Sequence, residues 1–312
     1  RPFDASFASD AAWVKTNETL LGGARGRGAF GLVGALEARR YVTSSVTPAA
    51  VAAFGFDRAL KAGPSEVAAS ALDAIDSARA QPAFVFATLD LRNVPSSSPP
   101  LPVEAPPLEV PAISLFDRGP LDPVRFPVTP PPREPADRGA LAARRAAAFS
   151  VLDLEVARLT AGLEKRGLLS QTVIVLVSTG PGPRPERAAP SRPDLLFEDW
   201  LRGLVLIQIP GLAQPGVPAD TLALMADIAP TLAALGGAGL AKSEGIDLQP
   251  ALRDPKRTLR QTLLANAARE APSVGRSVRS QRFRYTQWPD GTEEFFDEDA
   301  DPHEWTNLAN AP

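Results

Sequence analysis

Ser178, Thr179 and Gly180 stand at the end of an apolar run, TVIVLVSTGPGPRP, over 172–185. The carboxyl end of a strand is where open α/β sheets gather ligands and catalytic groups. This loop is built from hydroxyls, glycine and proline, which offer hydrogen bonds and backbone but neither acid, base nor metal-binding charge. Other candidates for chemistry are few. His303 is the single histidine, inside DPHEWTNLA, and a lone imidazole without a convergent acid reads as structural. Cysteine is absent, which removes disulfides, cysteine-ligated zinc and thiol catalysis together. Gly26, Gly28 and Gly31 spell G-x-G-x-x-G. A dinucleotide site needs a strand before those glycines, a helix starting at them and an acid about 20 residues on. Here a helix-like segment precedes them and the next acid after Glu37 is Asp57, so a flexible loop is the better account.

The elements that must position the 172–185 run can be read from periodicity. Leu141 to Arg166 carries Phe149, Leu152, Val156, Leu159 and Leu163 at alternating spacings of three and four, one face of a helix. Gly167 follows where a C-terminal cap belongs, and the strand from Thr172 to Val177 comes next, half of a parallel β-α-β arrangement. Ser65 to Ala80 reads as an amphipathic helix and AFVFATLDL as a strand buried on both faces, by its continuous apolar content. Tyr41 to Val46 reads as a short strand and Gly203 to Gly211 as another buried one. ADTLALMADIAPTLAALGG predicts a helix interrupted at Pro230 and ended by Gly236 and Gly237. Residues 95–135 are crowded with proline, which fixes φ and lacks an amide donor, so a surface excursion is expected there. VRSQRFRYTQW and TEEFFDE alternate around PDG and predict a two-stranded antiparallel ribbon.

With 312 residues, 44% hydrophobic and 22% charged, the composition is that of a globular chain with a sizeable core. A net charge of -3 and no concentrated basic block argue against nucleic acid as a partner. No apolar run reaches the roughly 20 residues of a membrane helix. The first residue is Arg1, so a preceding segment is expected, and contact with a membrane is expected only through it or through a partner.

The tail brings a family into view. In Arg276 to Ala309, Phe295, Phe296 and Asp297 followed by Asp301, Pro302, Glu304, Asn307, Leu308 and Ala309 resemble the closing segment of sulfatases, with its "ELYD" strand and "DP.E..NLA" stretch. LEKRGLLSQTVIVLVS resembles the family's "L...GL.DNTIVVFTSDHG", LFEDWLRGLVLIQIPG its "LYEE.LRVPLIIR.PG", and MADIAPTLAALGG its "LVDIAPTLLDLAG". The resemblance runs in family order over most of 35–309. It implies an alkaline-phosphatase/sulfatase-like α/β fold, a mixed sheet flanked by helices. The expected division is a core over 1–254, its first strand lying upstream of Arg1, and a small antiparallel subdomain over 255–312.

The same resemblance implies a divalent metal held by aspartates of the first strand and by the Asp and His or Asn of "SDHG". Aligned on the strand, Ser178 keeps the serine while Thr179 and Gly180 take the Asp and His positions. In LDLRNVP, Asp90 is retained from "D.H.P" but Arg92 replaces its histidine, and a guanidinium cannot act as general acid or base although it can hold an anion. APSRP over 189–193 copies letters of the "C.PSR" nucleophile motif without its cysteine, and FDASFAS over 3–9 faintly resembles "TLPSFAS". These departures set the expectations: a catalytically inactive domain, not an enzyme, with no cofactor and a structural or protein-binding role, its partners other protein subunits of a membrane-associated assembly. The alternative is a metal-dependent hydrolase of sulfuric or phosphoric esters, using calcium or magnesium with ligands from a preceding segment. The periplasmic or extracellular face of a membrane is the expected location.

Overall fold

Strand β1, Val42–Thr47, is the middle of a parallel three-stranded sheet with β2, Arg58–Lys61, on one side and β3, Ala83–Ala87, on the other. Parallel neighbours need crossovers, and helix α2, Val67–Ala78, provides the one from β2 to β3. The computed structural model describes residues 31–48, 55–89, 135–178, 196–212, 216–240, 243–270, 273–289, 291–302, 304 and 306–309. Helix α1, Leu32–Glu37, follows Gly31 directly. Gly26, Gly28, the 3–9 segment and most of the proline-rich 95–135 stretch lie outside the described residues.

Two apolar clusters cover this sheet. Leu32, Val33 and Leu36 of α1 pack on Ala229 and Ala233 of helix α5, Ile228–Leu235, with Phe84 and Phe86 of β3 against them. The Phe56 ring stacks near both phenylalanines, at centroid distances of 6.3 and 6.1 Å. Val46, Val67 and Ala71 form the second cluster, with Leu89 and Leu159 beside them. The strand expected to be buried on both faces is only half-buried along β3.

Helix α3, Pro135–Lys165, is longer than its apolar pattern predicted. It crosses α2 closely: a Cβ on Gly162 would come within 2.3 Å of Leu72 Cδ1. Glu155, buried on α3, accepts the Ala68 N–H at 2.8 Å, satisfying an amide in the first turn of α2 that no local side chain caps. At the far end Arg166 makes a two-pronged pair with Asp76 at 2.8 and 2.7 Å. Phe149, expected on the packed face, is 59% exposed. The packed stripe runs through Glu155, Leu159 and Leu163, and at about 100° per residue Phe149 falls roughly a quarter turn away from its centre.

Leu169–Gln171 forms a 3₁₀ turn and leads into β4, Ile174–Val177, which pairs antiparallel with β5, Val205–Gln208. The short helix α4, Glu198–Leu201, precedes β5. β5 alternates rather than being buried throughout, with Leu206 53% exposed. Pro230 does not interrupt a helix. A 3₁₀ turn over Met225–Asp227 comes first, and Pro230 sits in the first turn of α5, where its missing N–H leaves no bond unmade. Asp227, fully buried, accepts the Leu224 and Ile246 N–H groups at 2.7 and 2.8 Å and a two-pronged bond from Arg260. That bond raises the Arg260 pKa above its ordinary value, outweighing the opposing effect of burial.

After helix α6, Gln249–Arg253, comes a four-stranded antiparallel sheet, β6 (Leu263–Glu270), β7 (Ser273–Arg279), β8 (Phe283–Gln287) and β9 (Glu293–Asp297), paired in chain order. The expected two-stranded ribbon is thus half of the sheet. VRSQRFRYTQ is two strands, because Ser280 to Phe283 close a turn in which the Ser280 N–H donates to the Phe283 carbonyl at 2.8 Å. Gly275 is required by close packing, since a Cβ there would lie 2.5 Å from the Trp288 ring.

Candidate functional site

Residues 179–195 lie outside the described residues, and the two residues that flank them, Ser178 and Leu196, are both fixed. At the first, the Ser178 N–H donates to the Leu204 carbonyl at 2.9 Å, and the Leu204 N–H donates to Ser178 Oγ at 2.8 Å. Gly203 lets the chains approach: a Cβ there would be 3.2 Å from the Ser178 carbonyl oxygen. The serine that sequence similarity singled out therefore locks β4 to β5.

At the second, Leu196 and Phe197 are buried. Leu196 packs with Trp288 and Ala265, and Phe197 meets Phe296 edge-on at 6.0 Å. Arg284 of β8, 1% exposed, sends Nη1 to the Leu196 carbonyl at 2.6 Å and Nη2 to Glu198 Oε2 at 2.6 Å. Arg284 also pairs with Glu304, and Glu304 Oε2 accepts the Glu198 N–H at 2.7 Å. Arg279 and Glu298 complete the cluster, each 3.3–3.5 Å from oppositely charged members. Three carboxylates, Glu198, Glu298 and Glu304, thus share two guanidiniums. Burial pushes the Glu298 carboxyl above its ordinary value, opposed by Arg284 and Arg279 and assisted by Glu198.

After β3, the Thr88 N–H donates to the Val46 carbonyl at 2.9 Å and Leu89 packs into the Val46 cluster. Asp90 is the next residue. Asp90, Arg92, Thr179, Gly180, His303 and the 189–193 segment all lie outside the described residues, so the structure neither gathers nor separates them. What it describes is their anchors, Leu89 and Ser178. The Glu198–Arg284–Glu304 cluster has no signature in the sequence. Glu304 falls within the "DP.E..NLA" stretch, but its partners lie 20 and 106 residues away, beyond any local spacing rule.

The described side chains do not make up a metal site. None of their His, Cys, Asp and Glu residues form a group of three or more suited to a metal ion, and the one described hydroxyl of the strand-end loop, Ser178 Oγ, already accepts the Leu204 amide. Hard dications need several oxygen ligands.

A parallel sheet with helices packed on it, a separate antiparallel pair and a four-stranded antiparallel sheet at the C-terminus make up the alkaline-phosphatase-like α/β fold of sulfatases. In sequence the chain is 31% identical over 171 residues to the choline-sulfatase of Rhizobium meliloti (strain 1021), covering 53% of this chain and 32% of that protein. It is 34% identical over 111 residues to a Delta 4,5-hexuronate-2-O-sulfatase of Bacteroides thetaiotaomicron, covering 33% and 23%. Among solved structures, a protein in complex with its substrate D-glucosamine-2-N,6-O-disulfate superposes with a TM-score of 0.68 at 17% identity, covering 89% of this chain and 77% of that one. The phosphonate monoester hydrolase of Silicibacter pomeroyi gives 0.60 at 18% identity, covering 80% and 56%. No family model matches the chain. The matched segment spans a third or less of these two curated relatives.

The chain is thus similar to sulfatases in sequence over part of its length and shares their fold. Two expectations are thereby corrected. The chain was expected not to be an enzyme, yet the proteins it resembles in sequence are sulfatases, which are enzymes, and no finding shows lost activity. It was expected to use no cofactor, whereas sulfatases depend on calcium or magnesium. Substituted letters at Thr179, Gly180 and Arg92 are a weak basis for either, because a site is a spatial arrangement and those positions lie outside the described residues. An extracytoplasmic location accords with the sulfatase likeness. No helix among the described residues is long and apolar enough to cross a membrane.

Proposed function

We propose that the chain belongs to a hydrolase of sulfuric or phosphoric esters. The observation that carries this reading is the superposition of 89% of the chain, at a TM-score of 0.68, on a protein bound to a sulfated sugar substrate. Such a reaction adds water to the sulfur or phosphorus and releases an alcohol and an inorganic anion, so its site must hold several negative oxygens while charge shifts to the leaving oxygen. Arg92 suits the holding of those oxygens, since a guanidinium is protonated at any physiological pH and offers a planar fork of donors to an oxyanion. It cannot exchange protons, which leaves Asp90 as the titratable side chain of that sequence pair. By residue type, Thr179 brings a hydroxyl and Gly180 a backbone N–H, each able to hydrogen-bond an ester oxygen.

The test is turnover of an aryl sulfate and an aryl phosphate by the purified protein, with calcium, with magnesium and with chelator. Release of the phenol from one ester class above the uncatalysed rate supports the reading and assigns the class. No release from either ester under any of the three conditions overturns it.

A further inference from the structure

The Glu198–Arg284–Glu304 cluster lies away from Asp90 and Arg92 in the chain, yet it grips the backbone at 196–198, which leads through α4 to the Leu204–Ser178 clamp. We propose that Arg284 and Glu304 are positioning residues, a brace by which the C-terminal sheet fixes the 196–204 arm and, through it, Ser178 at the carboxyl end of β4. This rests on the hydrolase reading only in taking the carboxyl end of β4 to face the ester.

Three bonded groups fall within three residues of the arm. Arg284 takes the Leu196 carbonyl and the Glu198 carboxylate, and Glu304 takes the Glu198 N–H. Alternation along β8 buries Arg284 beneath Phe283 and Tyr285, which face outward. A buried charge is a poor way to gain stability alone, since apolar side chains of similar volume serve as well or better. What a guanidinium adds is direction: a rigid fork meeting three acceptors sets angles as well as distance. The held arm continues through α4 to Leu204, which is clamped to Ser178. Nine residues, 196 to 204, therefore connect the brace to the carboxyl end of β4. A shift at Arg284 reaches Ser178 through one helical turn and no long flexible linker.

The brace predicts a localised response. In Arg284→Lys the charge stays but the fork is lost. Hydrogen exchange at the Glu198 and Leu204 amides should accelerate about tenfold or more, as expected when charge-assisted bonds are lost, while the β6–β7 ladder amides keep their wild-type rates. Glu304→Gln keeps an acceptor for the Glu198 N–H and removes the charge facing Arg284, so it should accelerate the same amides less, and it carries the test if Arg284→Lys does not fold. Uniform acceleration through β6 and β7 would show that the cluster merely holds the sheet together, and unchanged exchange at Glu198 would show that it holds nothing. Either result overturns the brace. With an aryl ester that the wild type hydrolyses, Arg284→Lys should lower kcat/KM at least tenfold at temperatures where the variant is fully folded, and an unchanged value would overturn it as well. Absence of hydrolysis by the wild type counts against the hydrolase reading alone and leaves the exchange test in force.

Discussion

The parallel sheet and the C-terminal sheet differ in the side chains that dominate their buried centres. Around the parallel sheet, Leu32, Val33, Leu36, Ala229 and Ala233 meet in an apolar cluster. Under the antiparallel sheet the largest fully buried side chain is Arg284, with Glu304 against it. Apolar contact is non-directional and indifferent to pH, so the first region tolerates small shifts. Ionic contact is directional, and removing one member strands the others. The difference teaches that the C-terminal sheet is held on the 196–198 backbone in one orientation at the expense of tolerance.

The comparison would be broken first at Arg284. Arg284→Met leaves Glu198, Glu298 and Glu304 with Arg279 alone and is expected to cost about 3–5 kcal/mol, measured by denaturant unfolding. Leu32→Ala in the apolar cluster should cost about 2–5 kcal/mol, with a cavity as the cause. The sharper contrast is that the Leu32→Ala loss should be the same at pH 5 and pH 8, while the Arg284→Met loss should vary with pH.

Glu298 accounts for part of that variation. Its folded-state pKa lies above the ordinary 4.5, so the folded protein binds this proton more tightly than the unfolded chain. The sign follows directly: this contribution to stability is complete below 4.5 and is lost as pH rises through the raised value. Glu298→Gln should flatten the stability profile across that window and leave the parallel-sheet region untouched, as read from thermal midpoints at a series of pH values. The smallest effect belongs to Arg166. Its pair with Asp76 is solvent-exposed, although it depresses the Asp76 carboxyl through a direct hydrogen bond. Arg166→Ala should therefore move the unfolding midpoint little, and less still at high salt.

Much of this architecture is legible in the sequence, where local pattern and local structure agree. The apolar run at 172–177 forms β4, the 3.6-residue pattern before it forms α3, and the "DP.E..NLA" stretch marks the C-terminal sheet. What escapes depends on partners distant in the chain. Phe149 carries the right spacing but lies off the stripe that Gly162 and Leu72 define. VRSQRFRYTQ alternates like one strand and folds as two, because a hydrogen-bonded turn at Ser280 costs a polar sequence little. The brace is invisible for the same reason: no spacing rule links Glu198 to Arg284 and Glu304. The expectation of an inactive chain, drawn from the joint replacement at Thr179, Gly180 and Arg92 with a single histidine, is overturned because the proteins it resembles in sequence are enzymes.

The central claim, hydrolysis of a sulfuric or phosphoric ester with Asp90 as its acid–base group, is tested most directly by single-turnover release of phenol from the preferred aryl ester by wild type and Asp90→Asn side by side. The account predicts release by the wild type and a loss of at least about a hundredfold in the variant, the scale of a positioned acid–base group. Equal rates in the two proteins would contradict it.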